Sequence, residues 1–211
     1  MPNSTTSTQV SYRPHPTDPS KQIRVTTTIT KTVSSPSRVS MSSDPVVPAP
    51  VTLNLDIITS PTSQEVVDKL IQLRNDCGWG ANTVPQWLKD ADDGKRVNFL
   101  VRASVGSEKP VIGMISLILE YDNVFTNREE KKAMVASLCI LKEWEGRGYG
   151  KQAVLELERY AATELGIREM TLETAGEKLI RMYQKLGYTE FQERRKLFYS
   201  DSVASFSKKL A

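Results

Sequence analysis

Apolar residues first recur at the α and β periods of a packed fold at position 51. Val51, Leu53, Leu55 and Ile57 alternate with Thr52, Asn54 and Asp56, which predicts a half-buried strand. Ser60-Pro61-Thr62-Ser63 reads as a turn and helix N-cap. Val66, Val67, Leu70, Ile71 and Leu73 then follow at helical spacing to about Cys77, and Gly78-Trp79-Gly80 stops that helix. A second short helix is predicted around Pro85–Ala91, with the proline near its first turn. Asp92-Asp93-Gly94 turns the chain into a strand at Val97–Ala103, and Gly106–Pro110 reads as a hairpin turn. Val111–Glu120 and Ala133–Leu141 are apolar on both faces, as central strands are, with a polar loop at Asn123–Lys132 between them. A long helix from about Gly148 to Leu165 presents Val154, Leu157, Ala161 and Leu165 on one side, with Gly166 as its cap. Met170–Thr174 is a short strand. Leu179, Tyr183 and Leu186 stripe a further helix ending at Gly187. Tyr188–Lys209 reads as two last strands around a turn at Ser200–Asp201.

This order predicts an α/β chain built on a mixed, mostly antiparallel sheet with helices packed on it. The unit from Ala133 to Thr174, strand–helix–strand, is a parallel crossover.

The first fifty residues have a different composition. Residues 1–40 hold 17 Ser or Thr, with four prolines before position 20. Such a segment buries too little apolar surface to offset about 1–2 kcal/mol per residue of backbone ordering. Residues 1–50 are therefore expected to be a disordered tail, closed by the extended linker Pro45–Pro50, and residues 51–211 to be the folded domain. The Ser-rich, acid-poor tail also shares features with a mitochondrial transit peptide, although its prolines and the Thr26–Thr28 run disfavour an amphipathic helix. Met41 is an alternative start.

Length and charge narrow the function classes. A chain of 211 residues, 39% hydrophobic and 25% charged, suits one globular domain with a tail. No apolar run approaches the roughly 18 residues of a spanning helix, and the N-terminus has no apolar signal region. Five of the 28 Lys and Arg and two of the 25 Asp and Glu precede position 51, leaving 23 of each in the domain. The whole excess of +3 thus sits in the tail. A nucleic-acid protein would concentrate basic charge on its folded part, so neither nucleic acid nor membrane is expected as a partner. The two cysteines, Cys77 and Cys139, form no CxxC motif and suggest no disulfide framework. A reducing, cytoplasmic location fits them. The single histidine, His15, lies in the tail, which argues against Ser-His-Asp or Cys-His catalysis and against the usual His-containing zinc sites. No metal is expected.

The richest local signal is L-C-I-L-K-E-W-E-G-R-G-Y-G-K, Leu138–Lys151, where an apolar strand runs through three alternating glycines into a long helix. Glycines let a backbone approach a ligand closely. The unpaired N–H groups of a helix's first turn favour anionic oxygen. Together they make a pyrophosphate cradle, with Arg147 and Lys151 adding charge. The loop is neither a P-loop nor a G-x-G-x-x-G fingerprint, because Gly146, Gly148 and Gly150 are spaced by two.

The stretch Glu145–Gly150, E-G-R-G-Y-G, resembles the acyl-CoA motif [QR]-x-x-G-x-[GA] of the GNAT superfamily of N-acetyltransferases, with Glu145 in place of Gln or Arg. G-M-I-S-L at Gly113–Leu117 resembles the family's third strand, and L-E-T at Leu172–Thr174 the strand that splays from its neighbour. M-Y-Q-K-L-G-Y at Met182–Tyr188 resembles the closing Y-x-x-x-G-[FY] signature; Gly176 stands where relatives often carry asparagine. The resemblance covers roughly residues 52–210. It implies the GNAT fold, a mostly antiparallel sheet of about six to seven strands with about four helices, and acetyl-CoA as cosubstrate.

The same resemblance implies roles for individual residues. Gly146, Arg147, Gly148, Tyr149, Gly150 and Lys151 would hold the pyrophosphate. The strand Leu138-Cys139-Ile140 would offer main-chain groups to the pantetheine arm, the Cys139 side chain itself being a small core residue. Tyr183 would protonate, or hydrogen-bond to, the departing thiolate. Neutralising an ammonium of pKa about 10.4 at pH 7 costs about 4.6 kcal/mol, so a carboxylate base is needed. Glu120 is the first candidate and Glu173 the second; Asp122 lies too far into its loop. Trp79 and Trp87 border the acceptor site or pack in the core, and Arg194-Arg195-Lys196 reads as a solvated strand edge. The expected activity is acetyl transfer from acetyl-CoA to an amine acceptor, small molecule or protein, by direct attack in a ternary complex. The alternative is an acyl-CoA-binding domain without catalysis.

Overall fold

The structure, a computed structural model, describes residues 4–15, 18–32, 52–105, 107–196 and 202–210. The chain divides into two compact units, Met1–Pro50 and Val51–Ala211. In the first, β1 (Ser4–His15) pairs antiparallel with β2 (Asp18–Thr32), from Ser4 opposite Thr32 to Pro14 opposite Gln22. The sequence reading expected no regular structure here. It weighed the lack of core-forming residues; the ribbon instead pairs main chains over runs rich in β-branched residues, such as Val25–Thr30. The expected linker at Pro45–Pro50 and Met41 lie outside the described residues.

The second unit is a sheet of eight strands: β3 (Leu53–Ile57), β4 (Arg96–Ala103), β5 (Val111–Ile118), β6 (Lys132–Ile140), β7 (Glu169–Ala175), β8 (Thr189–Glu190), β9 (Arg195–Lys196) and β10 (Ser202–Lys209). Their order is β3-β4-β5-β6-β7-β10-β8, with β9 also on β10. Every pairing is antiparallel except β6 with β7. Those two strands are joined by the crossover through α3 (Tyr149–Leu165). The mixed, mostly antiparallel sheet and the parallel crossover are as the hydrophobic pattern predicts. The C-terminal stretch forms three short strands rather than two, and the turn expected at Ser200–Asp201 lies outside the described residues.

Helices cover both faces. α3 and α4 (Glu177–Lys185) pack on a core that includes Phe99, Val101, Ile115, Leu117, Leu172 and Phe206. α1 (Gln64–Asp76) and α2 (Val84–Asp92) pack on Leu100, Met114 and Cys139 through Leu70, Leu73 and Val84. α1 begins where the sequence signals it, with the Ser63 side chain accepting from the Val66 N–H at 3.4 Å. In α4 the stripe differs by one position. Leu179 is 43% exposed, and Ile180 is buried beside Tyr183 and Leu186. Two apolar neighbours compete there, and the helix start at Glu177 turns the second toward the sheet.

The cysteines also depart from expectation. Cys77, at the end of α1, and Cys139, in β6, are joined as a disulfide with their Cα atoms 6.4 Å apart. Sixty-two residues separate them in sequence, and only the packing of α1 across β6 brings them together. Spacing alone carries no trace of that contact.

β6 carries the irregularity that shapes the site. Its residues Ala133 and Val135 face the α3 side, but so do Leu138 and Ile140. Odd positions before Ala136 and even positions after Ser137 share one face, so the strand changes phase between them. The pairing shows why: Met114 lies opposite Cys139 and Ser116 opposite Ala136, leaving an extra residue on β6. Ser137 takes up the bulge with a left-handed φ of 55°. This explains why the strand reads as apolar on both faces.

Candidate functional site

β6 and β7 pair over only three positions, Lys132–Met134 with Glu169–Thr171. Beyond Met134, past the bulge, β6 has no strand partner on its β7 side among the described residues, and β7 pairs with β10 on its far edge up to Ala175. An unpaired strand edge offers N–H and C=O groups to an extended, amide-rich ligand. Leu138, Cys139 and Ile140 lie on this edge. On the other side of β6, Gly113 of β5 brings the two backbones close; a Cβ there would collide with the Cys139 carbonyl oxygen.

The chain leaves Ile140 through a single 3₁₀ turn at Lys142–Trp144 and enters α3 by the glycine turn. Gly146 and Gly148 have φ of 75° and 87°, which L side chains avoid. Gly148 is the N-cap of α3 and supplies no side-chain cap. The first backbone donor of the helix to be satisfied is the Gln152 N–H, on Gly148 O at 3.0 Å. Among the described residues, the N–H groups from Gly146 to Lys151 meet no backbone acceptor. They are donors at a helix N-terminus, the arrangement that binds pyrophosphate. Arg147 packs over the Trp144 ring at 5.2 Å, with Tyr149 edge-on to the same ring. Tyr149 is buried and thus anchors the turn, whereas Arg147 and Lys151 are exposed at its rim. A Cβ on Gly150 would lie 3.8 Å from the Ile140 side chain, so the start of α3 sits beside the outer end of β6.

Tyr183 sits on α4, 5% exposed, edge-on to Tyr188 at 5.6 Å. Burial pushes its phenol up to about 12, so it stays protonated at any ordinary pH. Glu173 lies on β7 opposite Ser205 and faces away from the α3 side. Its Oε1 accepts from Ser205 Oγ at 3.3 Å and is ion-paired with Arg195. Glu120 lies just past β5, half exposed, with its carboxylate 2.6 Å from Arg128 and 3.9 Å from Lys95. The Arg194–Lys196 stretch is the solvated edge expected of it: Arg194 and Arg195 are exposed, on or beside the short strand β9, and ion-pair with Glu190 and Glu173. Among the described residues no cluster of His, Cys, Asp or Glu is arranged to hold a metal ion. No helix among them is long and apolar enough to cross a membrane.

The sheet face under α1 and α2 carries a polar cluster that the sequence reading passed over. Arg96, 5% exposed, donates from Nε to Asn98 Oδ1 at 2.7 Å and from Nη2 to Ser137 Oγ at 2.8 Å. Ser116 Oγ donates to Asn98 Oδ1 at 2.9 Å, and Asn98 Nδ2 donates to Trp87 O at 3.2 Å. Trp87 receives two guanidinium groups on its ring, Arg96 at 4.2 Å and Arg74 at 4.6 Å. Arg74 also packs against Trp79, itself 40% exposed, at 5.0 Å, and donates to Gly80 O. One sequence signal existed: Ser116 is a polar residue inside Val111–Glu120, a stretch otherwise apolar on both faces, whereas Arg96 and Asn98 alternate with Val97 and Phe99 as solvent-facing residues would.

Comparison with known proteins follows the same lines. Residues 67–188 match the family model described as acetyltransferase (GNAT) family. A comparison with curated proteins gives no match. Among solved structures, a mutant form of the spermidine/spermine N-acetyltransferase SpeG from Vibrio cholerae superposes with a TM-score of 0.59 at 18% identity, over 74% of this chain and 93% of that one. The spermidine N-acetyltransferase from Vibrio cholerae in complex with CoA and spermine gives 0.58 at 18% identity, over 74% and 95%. FdhC, a nucleotide-linked sugar GNAT, gives 0.57 at 15% identity, over 75% and 86%. At these identities the likeness is one of fold, while the family match spans more than half of the chain. With an unpaired β6 edge leading into a donor-rich glycine turn, the chain belongs to the acetyltransferase (GNAT) family and is an acyltransferase.

Proposed function

We propose that this acyltransferase moves the acetyl group of acetyl-CoA to an amine acceptor by direct attack. The observation that carries the reading is the joining of the two features above: the free β6 edge runs into the uncapped N-terminus of α3. The pyrophosphate would sit on the N–H groups of Gly146–Lys151, and the pantetheine would pair with Leu138–Ile140, bringing its thioester to the bulge at Ser137. The solved complex of the Vibrio cholerae enzyme with CoA and spermine supports both a CoA cosubstrate and an amine acceptor.

In the reaction the amine nitrogen bonds to the acetyl carbon, the carbon–sulfur bond breaks, and CoA leaves as a thiolate. Tyr183 hydrogen-bonds to that thiolate rather than surrendering its proton outright. A phenol near 12 is a weaker acid than a thiol of about 8.5, so full transfer would run uphill. The amine's proton goes to a carboxylate. Glu173 is the better placed: it stands on the strand bordering the gap, on the face opposite α3, whereas Glu120 lies beyond the strand end between Arg128 and Lys95.

The test is thermal. Acetyl-CoA should raise the melting temperature by mass action on the folded state. Gly148→Val should abolish most of that rise, because a β-branched residue at a left-handed φ blocks the backbone approach and costs about 1–2 kcal/mol. Equal rises in both proteins would remove the glycine turn from the CoA site.

A further inference from the structure

We infer that the acceptor carries an oxyanion, a carboxylate or phosphate close to its reacting amine, and that Arg96 binds it. This deepens the acetyl-transfer reading and rests on it for the position of the thioester.

Arg96 is a buried cation without a counterion. Among the described residues it forms no ion pair, and two of the guanidinium's five N–H donors are used, on Asn98 and Ser137. The remaining donors meet no acceptor among the described residues, and Nη1 is among them. Nη1 is not among the sealed, unpartnered polar atoms, so it stays open to solvent and therefore to a ligand, while the rest of the guanidinium is packed away from water. Its surroundings favour an anionic one. Arg74 shares the Trp87 ring with it, and Asp90, the carboxylate that acts on it among the described residues, lies beyond ion-pair distance. Glu120 is committed to Arg128 and Lys95. Desolvation accordingly lowers the group to about 10, which still leaves it fully charged at neutral pH.

The position fits an acceptor subsite. Arg96, Asn98 and Ser116 share the sheet face that α1 and α2 cover, and Arg96 reaches across β5 to the bulged Ser137. Ser137 is also where a pantetheine arm paired along Ile140–Leu138 would end. An oxyanion on the remaining N–H donors therefore lies beside the thioester, and the amine must be only a few bonds away from it. A planar guanidinium fork suits a carboxylate or phosphate. The same cations repel a polyamine, so the acceptor differs in charge from the spermine held by the Vibrio cholerae enzyme.

The experiment uses matched probes on the full chain. The twenty common amino acids are compared with their carboxamides, phosphoethanolamine with ethanolamine, and spermidine stands as the polycation. CoA-thiol release gives kcat/KM, and calorimetry on CoA-saturated protein gives binding where turnover is slow. At least one anionic probe should exceed its neutral partner by tenfold or more, with spermidine poorest. Phosphoethanolamine as the best probe would assign a phosphate, an amino acid a carboxylate. Arg96→Lys, which keeps the charge but loses the fork, and Arg96→Gln should raise KM for the anionic probe by tenfold or more. The loss on its neutral partner should be at least severalfold smaller, so that the anionic-to-neutral ratio of kcat/KM collapses toward one. Neutral probes or spermidine binding as well as anionic ones would overturn the proposal. So would an equal loss on all probes in both variants, which would mark Arg96 as structural. Failure of acetyl-CoA itself to bind would instead sink the acetyl-transfer reading, and the paired probes would still report on Arg96 by calorimetry without CoA.

Discussion

Tyr183 shows what a single residue's surroundings decide. Helical spacing places it on a buried stripe, and the structure keeps it there, 5% exposed and with its ionisation pushed up to about 12. A group that stays neutral acts as a donor at all working pH values. Tyr183→Phe is therefore expected to lower kcat by about tenfold or more, toward the low end of acid–base effects because a thiolate leaves readily. The deficit should not change between about pH 6 and 9, where the phenol never titrates. A pH–rate profile of both proteins checks this; a deficit that fades as pH rises would mean that the phenol does transfer its proton. What the sequence made legible was local placement: a glycine turn at the start of α3 and a buried tyrosine on α4. Arg96 was not legible, since its burial depends on Trp87 from α2 and Ser137 from β6 meeting over β4.

Elements were legible where their period was clean. α3 matches its predicted span because its stripe is regular and a glycine with left-handed φ closes each end. The phase change in β6 was hidden, because a bulge mixes the two faces and looks like a strand buried on both. The link between α1 and β6 was hidden too. A bond closing a loop of 62 residues stabilises a fold by about 4 kcal/mol in the chain-entropy account. Reduction of the native protein, or Cys139→Ser, should accordingly lower the melting temperature by several degrees. Thiol titration of unreduced, denatured protein should find no free thiol. Two reactive thiols would show that the pair is reduced as isolated.

For the whole molecule, the order of strands and helices and the parallel crossover follow from hydrophobic pattern. The ribbon of β1 and β2 does not, because composition speaks to burial and not to main-chain pairing. Buried phenols give the domain a common alkaline limit. Tyr160, Tyr183 and Tyr188 are all buried, and desolvation raises each. Below about pH 10 the phenols are protonated in both folded and unfolded chains and contribute no pH dependence. Above it the unfolded chain loses protons that the folded one keeps, so stability falls as pH rises, by about 1.4 kcal/mol per unit of separation for each phenol. Melting curves should be flat in this respect to about pH 9.5 and fall steeply beyond. A domain equally stable at pH 9 and 11 would contradict the burial of these rings.

The extra residue at Ala136–Ser137 makes β6 two half-strands of opposite phase, odd positions facing α3 before it and even positions after it. Deleting either residue would restore an unbroken ladder with β5, and the chain would gain hydrogen bonds. It would not turn the outer half over: with the extra residue gone, positions 133, 135, 138 and 140 form one continuous alternation, so Leu138 and Ile140 would still face α3 and Cys139 would still face Cys77. Deleting Ser137 would instead remove the hydroxyl that accepts from Arg96. A more regular strand would thus keep the core and lose the polar contact beside the proposed acceptor site. The irregularity lets one strand serve two masters, a hydrophobic interior on one side and a reaction on the other.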